Sequence, residues 1–464
     1  MNNYKLWSLR LGYSGKQAEM MASIGIEKFL EKSFSSQVDH ALPDLLANSP
    51  KSLEDFKVIQ KIRKEASPEE KKELLKKEVK TSIEMKSWWI EKMMNEEFPL
   101  REKMTCFWHN HYVATFQKVK VNYWIFQHNQ ILRENAFGNF KDLTKKMVKT
   151  NAIVKYLDNV DNRKGKLNEN LSRELLELFT LGIGNYTETD IKNGAKGLAG
   201  LGIGKENAIY RPLFENNESF EYFGKNGNFK IDEMIDIIFE QKNIPYLLTR
   251  KILKWFIYDN PKEDLVTYYG DYLREVNFEI RPLLTKIFTE EFKKENAGSK
   301  IKNPLEYLLP IFDELKVENP NKKITAFFLK EQGMDLFNQA NVKGWTGGNA
   351  WITSQIYSQR NNVADLLCNG KNLNNRRKKD SENKEMNPNK EESLKINLVW
   401  DKNGNNKTNI SELKNRLLFR VDAQTQVDFE TILKYDFDPK AENSDQAVLR
   451  LFNAMLKTPE YQLI

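Results

Sequence analysis

Cysteine and histidine are both scarce in this chain of 464 residues, which has two cysteines and four histidines. Cys106 and Cys368 are far apart and form no CxxC pair, so the sequence argues against a disulfide framework and a cysteine-based zinc site. No uninterrupted apolar run approaches the roughly 20 residues that cross a bilayer, so we expect no transmembrane segment. The N-terminal residues lack the apolar stretch of a signal peptide, and localisation therefore stays open.

Charge is abundant but balanced. The 72 basic and 65 acidic residues are interspersed along the chain and leave a net charge of +7. Such a mixture solvates helix faces and lacks the basic footprint of a nucleic-acid binder, so we predict no nucleic-acid partner. An apolar fraction of 40% is typical of a folded protein, and the length suits two or three packed units.

Apolar residues recur at helical spacing through most of the chain, whereas strand-type alternation is scarce. Ser67 and Glu70 have the spacing of a capping box, and Pro68 between them suits the first position of a long helix. A short pairing of 395–401 with 417–421 is the β element that the pattern allows. We therefore predict an all-α or nearly all-α protein, a multi-helix assembly with long loops and at most a minor β-hairpin.

Shifts in composition divide the chain into five predicted regions. Residues 371–393 are nearly devoid of apolar side chains and cannot bury enough surface to offset their ordering entropy. The regions are an N-terminal helical region, 1–95; a central helical region with the two main motifs, 96–205; a helical region that ends in a glycine–tryptophan loop, 206–370; a mobile polar insertion, 371–395; and a C-terminal region that packs back on the core, 396–464.

Two of the histidines lie in the first motif, FWHNHY (107–112). On a strand, His109 and His111 would share a face and could chelate one metal, whereas on a helix they diverge by about 160°. The preceding residues favour a helix, so we predict no metal site and no cofactor. The two histidines either satisfy buried hydrogen bonds among the neighbouring aromatic residues or carry out acid–base work, and the sequence leaves both interpretations open.

The second motif, NENLSRELLELF (168–179), combines a leucine stripe with a charged face. Glu169, Arg173 and Glu177 recur at every fourth residue and can form an ion-pair ladder. Glu174 and Glu177 can present two carboxylates from adjoining turns. The pattern suits an ordinary amphipathic helix, and it equally suits a charged cleft with perturbed pKa values if these side chains face inward.

The segment before this helix is a candidate polar turn. Asp158 lies in LDNVDNRKGK (157–166), which suits a tight turn and could also line a pocket or hold a cation. Asn168 or Asn170 is a natural N-cap for the helix that follows.

A glycine-rich loop, VKGWTGGNAW (342–351), places three glycines among two tryptophans. Glycine allows left-handed backbone and close approach. Trp345 and Trp351 could therefore form a stacking surface for a sugar or a peptide, or the loop could be rigid and packed under its own indoles.

In combination, these strings resemble one bacterial family, catalogued as domain of unknown function 1800. Ordered motifs carry the resemblance over most of the chain: LRLGYS (9–14), LREKMTCFWHNHY (100–112), LRENAFGNFKDL (132–143), YLDNVDNRKGKLNENLSRELLELFTLG (156–182), NYTETDI (185–191), VKGWTGGNAW (342–351) and TPEYQ (458–462). The residues that match the family pattern are His109, Asn110, His111, Arg133, Asp158, Asn168, Glu169, Asn170, Arg173, Glu174, Glu177, Lys343, Gly344 and Trp345.

The resemblance implies a largely helical protein of unassigned activity. It also implies export, and a partner from a family similar to alkaline-phosphatase-type hydrolases that is often encoded beside its relatives. The chain departs from the family pattern at three places. Phe179 stands where many relatives have histidine, a His-Asp pair near 217–224 is missing, and Gln339-Ala340 replaces a Pro-Pro pair. The first two losses argue against a metal site or a histidine-dependent mechanism taken from the family.

From the residues and the resemblance together, we expect a hydrolase-type enzyme that acts on an envelope or polymeric substrate. Glu174 or Glu169 would be the general acid/base, Arg173 would hold an anionic or polar group, and His109 and His111 would orient or transfer protons. The expected substrate-binding residues are Asn168, Asn170, Asp158, Lys343, Trp345 and Trp351. The alternatives are a non-catalytic interaction or assembly protein, and a metal-binding protein in which the two histidines converge.

Overall fold

Helices dominate the structure, a computed structural model that describes residues 2–373, 394–434 and 437–464. The predicted insertion therefore lies almost entirely outside the described residues. Helices α1 to α8 are Asn2–Leu11, Ala18–Ile24, Ile26–Ser35, Leu53–Glu65, Pro68–Asn95, Leu100–His111, Phe116–Val119 and Asn122–Glu134. Helices α9 to α16 are Phe140–Val148, Asn151–Tyr156, Asn170–Glu174, Glu188–Leu198, Ile231–Phe239, Ile244–Phe256, Glu263–Glu275 and Ile280–Glu291. Helices α17 to α22 are Pro304–Glu314, Lys322–Glu331, Ser354–Cys368, Asn406–Leu417, Ala423–Ile432 and Ser444–Leu456.

Two small antiparallel hairpins are the β-structure of the described residues. Strand β1 (Leu201–Gly202) pairs with β2 (Ile209–Tyr210), and β3 (Phe220–Tyr222) pairs with β4 (Lys225–Gly227). The fold is therefore mostly α, as the periodicity predicts.

The predicted pairing of 395–401 with 417–421 is wrong. Residues 395–401 form no strand, and α20 runs through to Leu417. Backbone groups of the first segment bind elsewhere: Asn397 N–H donates to the carbonyl of Leu315 at 2.8 Å, and the carbonyl of Val399 accepts from Arg416 at 2.6 Å. Because those groups have other partners, a strand ladder does not form there.

Local sequence signals fix several helix ends. Ser67 and Glu70 form the predicted capping box, in which Ser67 Oγ accepts from the Glu70 N–H at 3.2 Å and Glu70 Oε2 accepts from the Ser67 N–H at 2.7 Å. Thr187 and Asp190 form a second capping box at the start of α12. Each box satisfies two backbone donors that the first helical turn leaves free.

Helix α6 passes through the core and carries FWHNHY at its C-terminal end. All its residues except Asn110 are buried, including three charged ones, Arg101, Glu102 and Lys103. The Glu102 carboxylate accepts from Arg133 and from the indole of Trp89, at 2.9 and 2.8 Å. Lys103 donates to the carbonyls of Leu9 and Gly12 at 2.7 Å each. A buried charge is tolerated only when it is paired and hydrogen-bonded, so these bonds fix how α6 sits.

No helix within the described ranges combines the length and the apolar character needed to cross a membrane.

Candidate functional site

The helix that carries NENLSRELLELF changes its hydrogen-bond pattern at Leu175. Helix α11 ends at Glu174, and Leu175–Thr180 continues as a π-helix, in which the Leu181 N–H donates to the Leu176 carbonyl at 2.9 Å. Such π-turns are rare and frequently lie at functional sites. The carbonyls of Leu178 and Phe179, in the last turn, are bound by side chains from two other helices.

Those two side chains are His111 of α6 and Lys251 of α14. His111 Nε2 lies 3.1 Å from the Phe179 carbonyl, and Lys251 Nζ donates to the Leu178 carbonyl at 2.8 Å. Because a carbonyl only accepts, His111 carries its proton on Nε2, and its Nδ1 accepts from Lys251 Nζ at 3.2 Å. Burial lowers the pKa of Lys251 to about 8 and holds the pKa of His111 well below its usual range. One hydrogen-bonded junction thus joins α6, α14 and the π-helix.

Lys251 lies outside every motif that the sequence singles out. It lies on the buried face of α14 between Leu248 and Ile252, with Trp255 one turn further on. These four positions have the i, i+3, i+4, i+7 spacing of a core stripe. A lysine within a stripe of apolar residues is the signal that could have indicated this position, because a buried amine needs hydrogen-bond partners.

His109 and His128 form a second buried pair. His109 Nε2 lies 3.3 Å from the Ala114 carbonyl, and its Nδ1 is 3.5 Å from the amide of Asn129. His128 Nε2 lies 2.8 Å from the Tyr112 carbonyl, and the two rings meet edge to face at 5.1 Å. Burial holds the pKa of His109 well below its usual range, and the neighbouring His128 ring acts in the same direction. Burial lowers the pKa of His128 to about 4.

The positions of His109 and His111 therefore match the interpretation in which both rings satisfy buried hydrogen bonds. Both are shielded from solvent, at 0% and 3% exposed, and every ring nitrogen has a partner. They bind carbonyls of different segments and do not converge on one point. In the described part of the chain, no three His, Cys, Asp or Glu side chains are grouped closely enough to hold a metal ion.

Glu169 and Arg173 form the predicted ion pair, but it faces solvent. Arg173 donates to Glu169 Oε2 at 3.4 Å, and it makes a bidentate contact with Glu188 of α12 at 2.9 and 3.0 Å. The side chains of Glu169 and Arg173 are 36% exposed, and that of Glu188 is 66% exposed. The network is thus an exposed ladder that ties α11 to α12, and most of the Arg173 guanidinium is occupied.

Glu174 has a different environment, in a group that we call the Glu174 cluster: Tyr156, Glu174, Glu177, Tyr186 and Lys343. Glu174 is half-buried, and burial together with the charge of Glu177 raises its pKa, while Lys343 and Arg173 act in the opposite direction. Tyr186 donates to Glu177 Oε2 at 3.0 Å. Burial and the charge of Glu174 raise the pKa of Tyr156 to about 12. The cluster brings α10, the π-helix and the glycine-rich loop together.

Asp158, Asn168 and Asn170 build the turn before α11. Asp158 adopts a left-handed backbone with a φ of 56°, and its carboxylate accepts from Lys118 at 2.7 Å. Asn168 Oδ1 accepts from the Asn170 N–H at 3.0 Å, and Asn168 Nδ2 donates to the Asp158 carbonyl at 3.4 Å. The predicted cap at Asn168 or Asn170 is wrong, because Glu169 occupies the N-cap position of α11 and makes no side-chain cap hydrogen bond. Asn168 instead fixes the turn before the helix, and Asp158 stays 40% exposed beside the cluster.

The glycine–tryptophan loop packs directly on α6. Gly344 has a φ of 82°, and a Cβ there would lie 2.3 Å from Asn110 Oδ1, the atom that accepts from the Trp345 N–H at 2.7 Å. Trp345 stacks on Trp255 with ring centroids 6.4 Å apart. Trp345 and Trp351 are only 7% and 5% exposed, so the loop matches the interpretation of a rigid loop packed under its own indoles. Of the binding residues expected in this loop, Lys343, Trp345 and Trp351, the lysine is exposed.

The family model for a protein of unknown function, DUF1800, matches residues 6–463. Neither a curated protein nor a solved structure gives a significant match to the chain. Three of the motifs behind the resemblance come together in the structure, because FWHNHY contacts both the π-helix, through His111, and the glycine–tryptophan loop, through Asn110. With nearly its whole length matched, the chain belongs to the DUF1800 family of proteins of unknown function.

Proposed function

We propose that this protein is a hydrolase-type enzyme that acts on a polymeric substrate, with Glu174 as its general acid/base. The half-buried Glu174 carboxylate is the observation that supports this most. Its pKa is raised by burial and by the neighbouring charge of Glu177. General acid–base catalysis is most efficient when the pKa of the group lies near the working pH, and a raised carboxylate pKa moves in that direction.

The other members of the cluster have complementary roles in this proposal. Glu177, held by the Tyr186 hydroxyl, supplies a second carboxylate on the same helical face and keeps the pKa of Glu174 raised. Lys343 is exposed on the glycine-rich loop and places a positive charge near Glu174, where it would hold a polar or anionic group of the substrate. Arg173 takes a positioning role, because its guanidinium is already bound by Glu188.

His109 and His111 also have positioning roles, since burial keeps their rings away from any substrate. His111 holds α6 against the π-helix that carries Glu177. Lys118 and Asp158, an ion pair beside the cluster whose side chains are 43% and 40% exposed, offer further polar contacts for an extended substrate.

The test is a hydrolysis assay of the purified chain against polysaccharide, peptidoglycan and polyester substrates, with release of new chain ends as the readout. We expect Glu174→Gln to lower kcat by about 100-fold or more, because it removes proton transfer and preserves shape. Glu240→Gln, at an exposed pair with Lys225, is the control and should leave kcat unchanged. The proposal fails if the parent protein cleaves none of these polymers, or if Glu174→Gln cleaves as fast as the parent.

A non-catalytic assembly role is the second candidate. It is favoured by the saturation of the Arg173, His109 and His111 networks and by the burial of Trp345 and Trp351. In that case Glu174→Gln and Lys343→Gln would leave every hydrolysis rate unchanged.

A further inference from the structure

A hollow of about 240 Å³ lies beside the turn that precedes α11. Its lining residues include three cations, Arg163, Lys166 and Arg211, and one acid, Asp161. We call it the cationic hollow. The lining side chains carry a net charge of +2, because three positive charges face one negative charge.

None of the three cations forms an ion pair with any residue that the structure describes. The guanidinium of Arg211 makes one hydrogen bond, to the Ile203 carbonyl at 3.2 Å, which leaves most of its donors free. Lys164, in the same turn, behaves differently, because its amine pairs with Glu218 at 3.6 Å. Like charges around one hollow repel, and a bound anion would relieve that repulsion.

The backbone around the hollow is fixed in advance. Arg163 and Lys166 exchange backbone hydrogen bonds at 3.2 and 2.9 Å across Gly165, and the Lys164 N–H donates to the Phe214 carbonyl at 2.8 Å. A Cβ at Gly202 would lie 3.2 Å from the guanidinium carbon of Arg211, so the glycine lets that side chain lie across β1. A rigid frame with free donors lowers the ordering cost of binding.

We propose that the cationic hollow binds an oxyanion of the phosphate class, either as free phosphate or as a phosphate ester. A net charge of +2 matches a doubly charged phosphate group. Guanidinium groups suit such a ligand because their planar donors bind two oxygens at once, and a lysine adds a point charge. The proposal does not depend on catalysis by Glu174.

Isothermal titration of the full chain with inorganic phosphate, at constant ionic strength set with sodium chloride, tests the proposal. We expect saturable binding by the parent protein. Arg211→Gln and the double variant Arg163→Gln/Lys166→Gln should each raise Kd by about tenfold or more, the usual effect of removing a charge-assisted hydrogen bond. Lys164→Gln is the matched control and should bind like the parent. All these side chains lie at the surface, so thermal unfolding should confirm that each variant folds.

A second titration with glycerol 3-phosphate separates the two sources of the ligand. Equal or tighter binding of the ester indicates a phosphorylated substrate, whereas much weaker binding indicates free phosphate. The proposal is overturned if phosphate binds no better than chloride, or if Lys164→Gln weakens binding as much as Arg211→Gln does. Absence of phosphate binding by the parent protein, with its hydrolysis of polymers intact, would refute this site alone and leave the proposed function standing.

Discussion

Lowering the pH from 8 to 5 should destabilise the protein, because the fold holds His109, His111 and His128 in their neutral forms. An unfolded histidine takes up a proton near pH 6.5. In the folded chain, the pKa of His128 is about 4 and those of the other two are well below their usual range. Stability is therefore fully present above about pH 6.5 and is lost as the pH falls towards 4, since the unfolded chain binds the extra protons.

The size of the effect follows from the pKa of His128. Between pH 8 and pH 5, a group whose pKa falls from about 6.5 to about 4 on folding loses about 2 kcal/mol of stability. The lowered pKa values of His109 and His111 act in the same direction and add to this loss. The contribution of His128 alone is a substantial part of the folding free energy of a typical protein, about 5–15 kcal/mol.

Urea unfolding followed by tryptophan fluorescence at pH 8 and pH 5 measures this loss. His128→Gln keeps a side chain that can donate to the Tyr112 carbonyl but does not titrate, so its loss between the two pH values should be smaller than the parent's by about 2 kcal/mol. His40→Gln is the control, because His40 is exposed. If the parent and His128→Gln lose the same free energy, the fold does not hold His128 neutral and the reasoning is refuted.

Two further substitutions test the packing around α6. Glu306→Gln should lower the free energy of unfolding by about 3–5 kcal/mol, because it leaves Lys103 buried without the carboxylate that lies 2.8 Å away. Glu240→Gln, at an exposed pair, is the control and should change the free energy of unfolding by less than about 1 kcal/mol in the same urea titration. Gly344→Ala should lower the melting temperature more than Gly25→Ala does. Both have φ near 83°, but only the first brings a Cβ against Asn110, so equal shifts would contradict the clash.

The helical fold could be predicted because its signals are local. Periodic apolar residues and the capping box at Ser67 mark helices without any knowledge of distant contacts. The hairpins β1–β2 and β3–β4 could not be found, since strands of two or three residues are too short to show alternation.

The candidate site depends on contacts that no local pattern encodes. Lys251 and His111 are 140 residues apart in the chain, and Trp345 and Asn110 are 235 apart. The motifs predicted that Glu169 and Arg173 pair, but whether the pair is buried depends on what packs over it. The π-helix is defined by its hydrogen bonds, so the spacing of NENLSRELLELF predicts an ordinary helix there.

The junction at Lys251 has a consequence for alkaline solution. A lysine with a pKa of about 8 gives up its charge well before an ordinary lysine does. As a neutral amine it still has two N–H hydrogens, one for the Leu178 carbonyl and one for His111 Nδ1. The three helices therefore stay joined after the charge is gone. In alkaline solution, the site therefore stays assembled whether or not the Lys251 amine is charged.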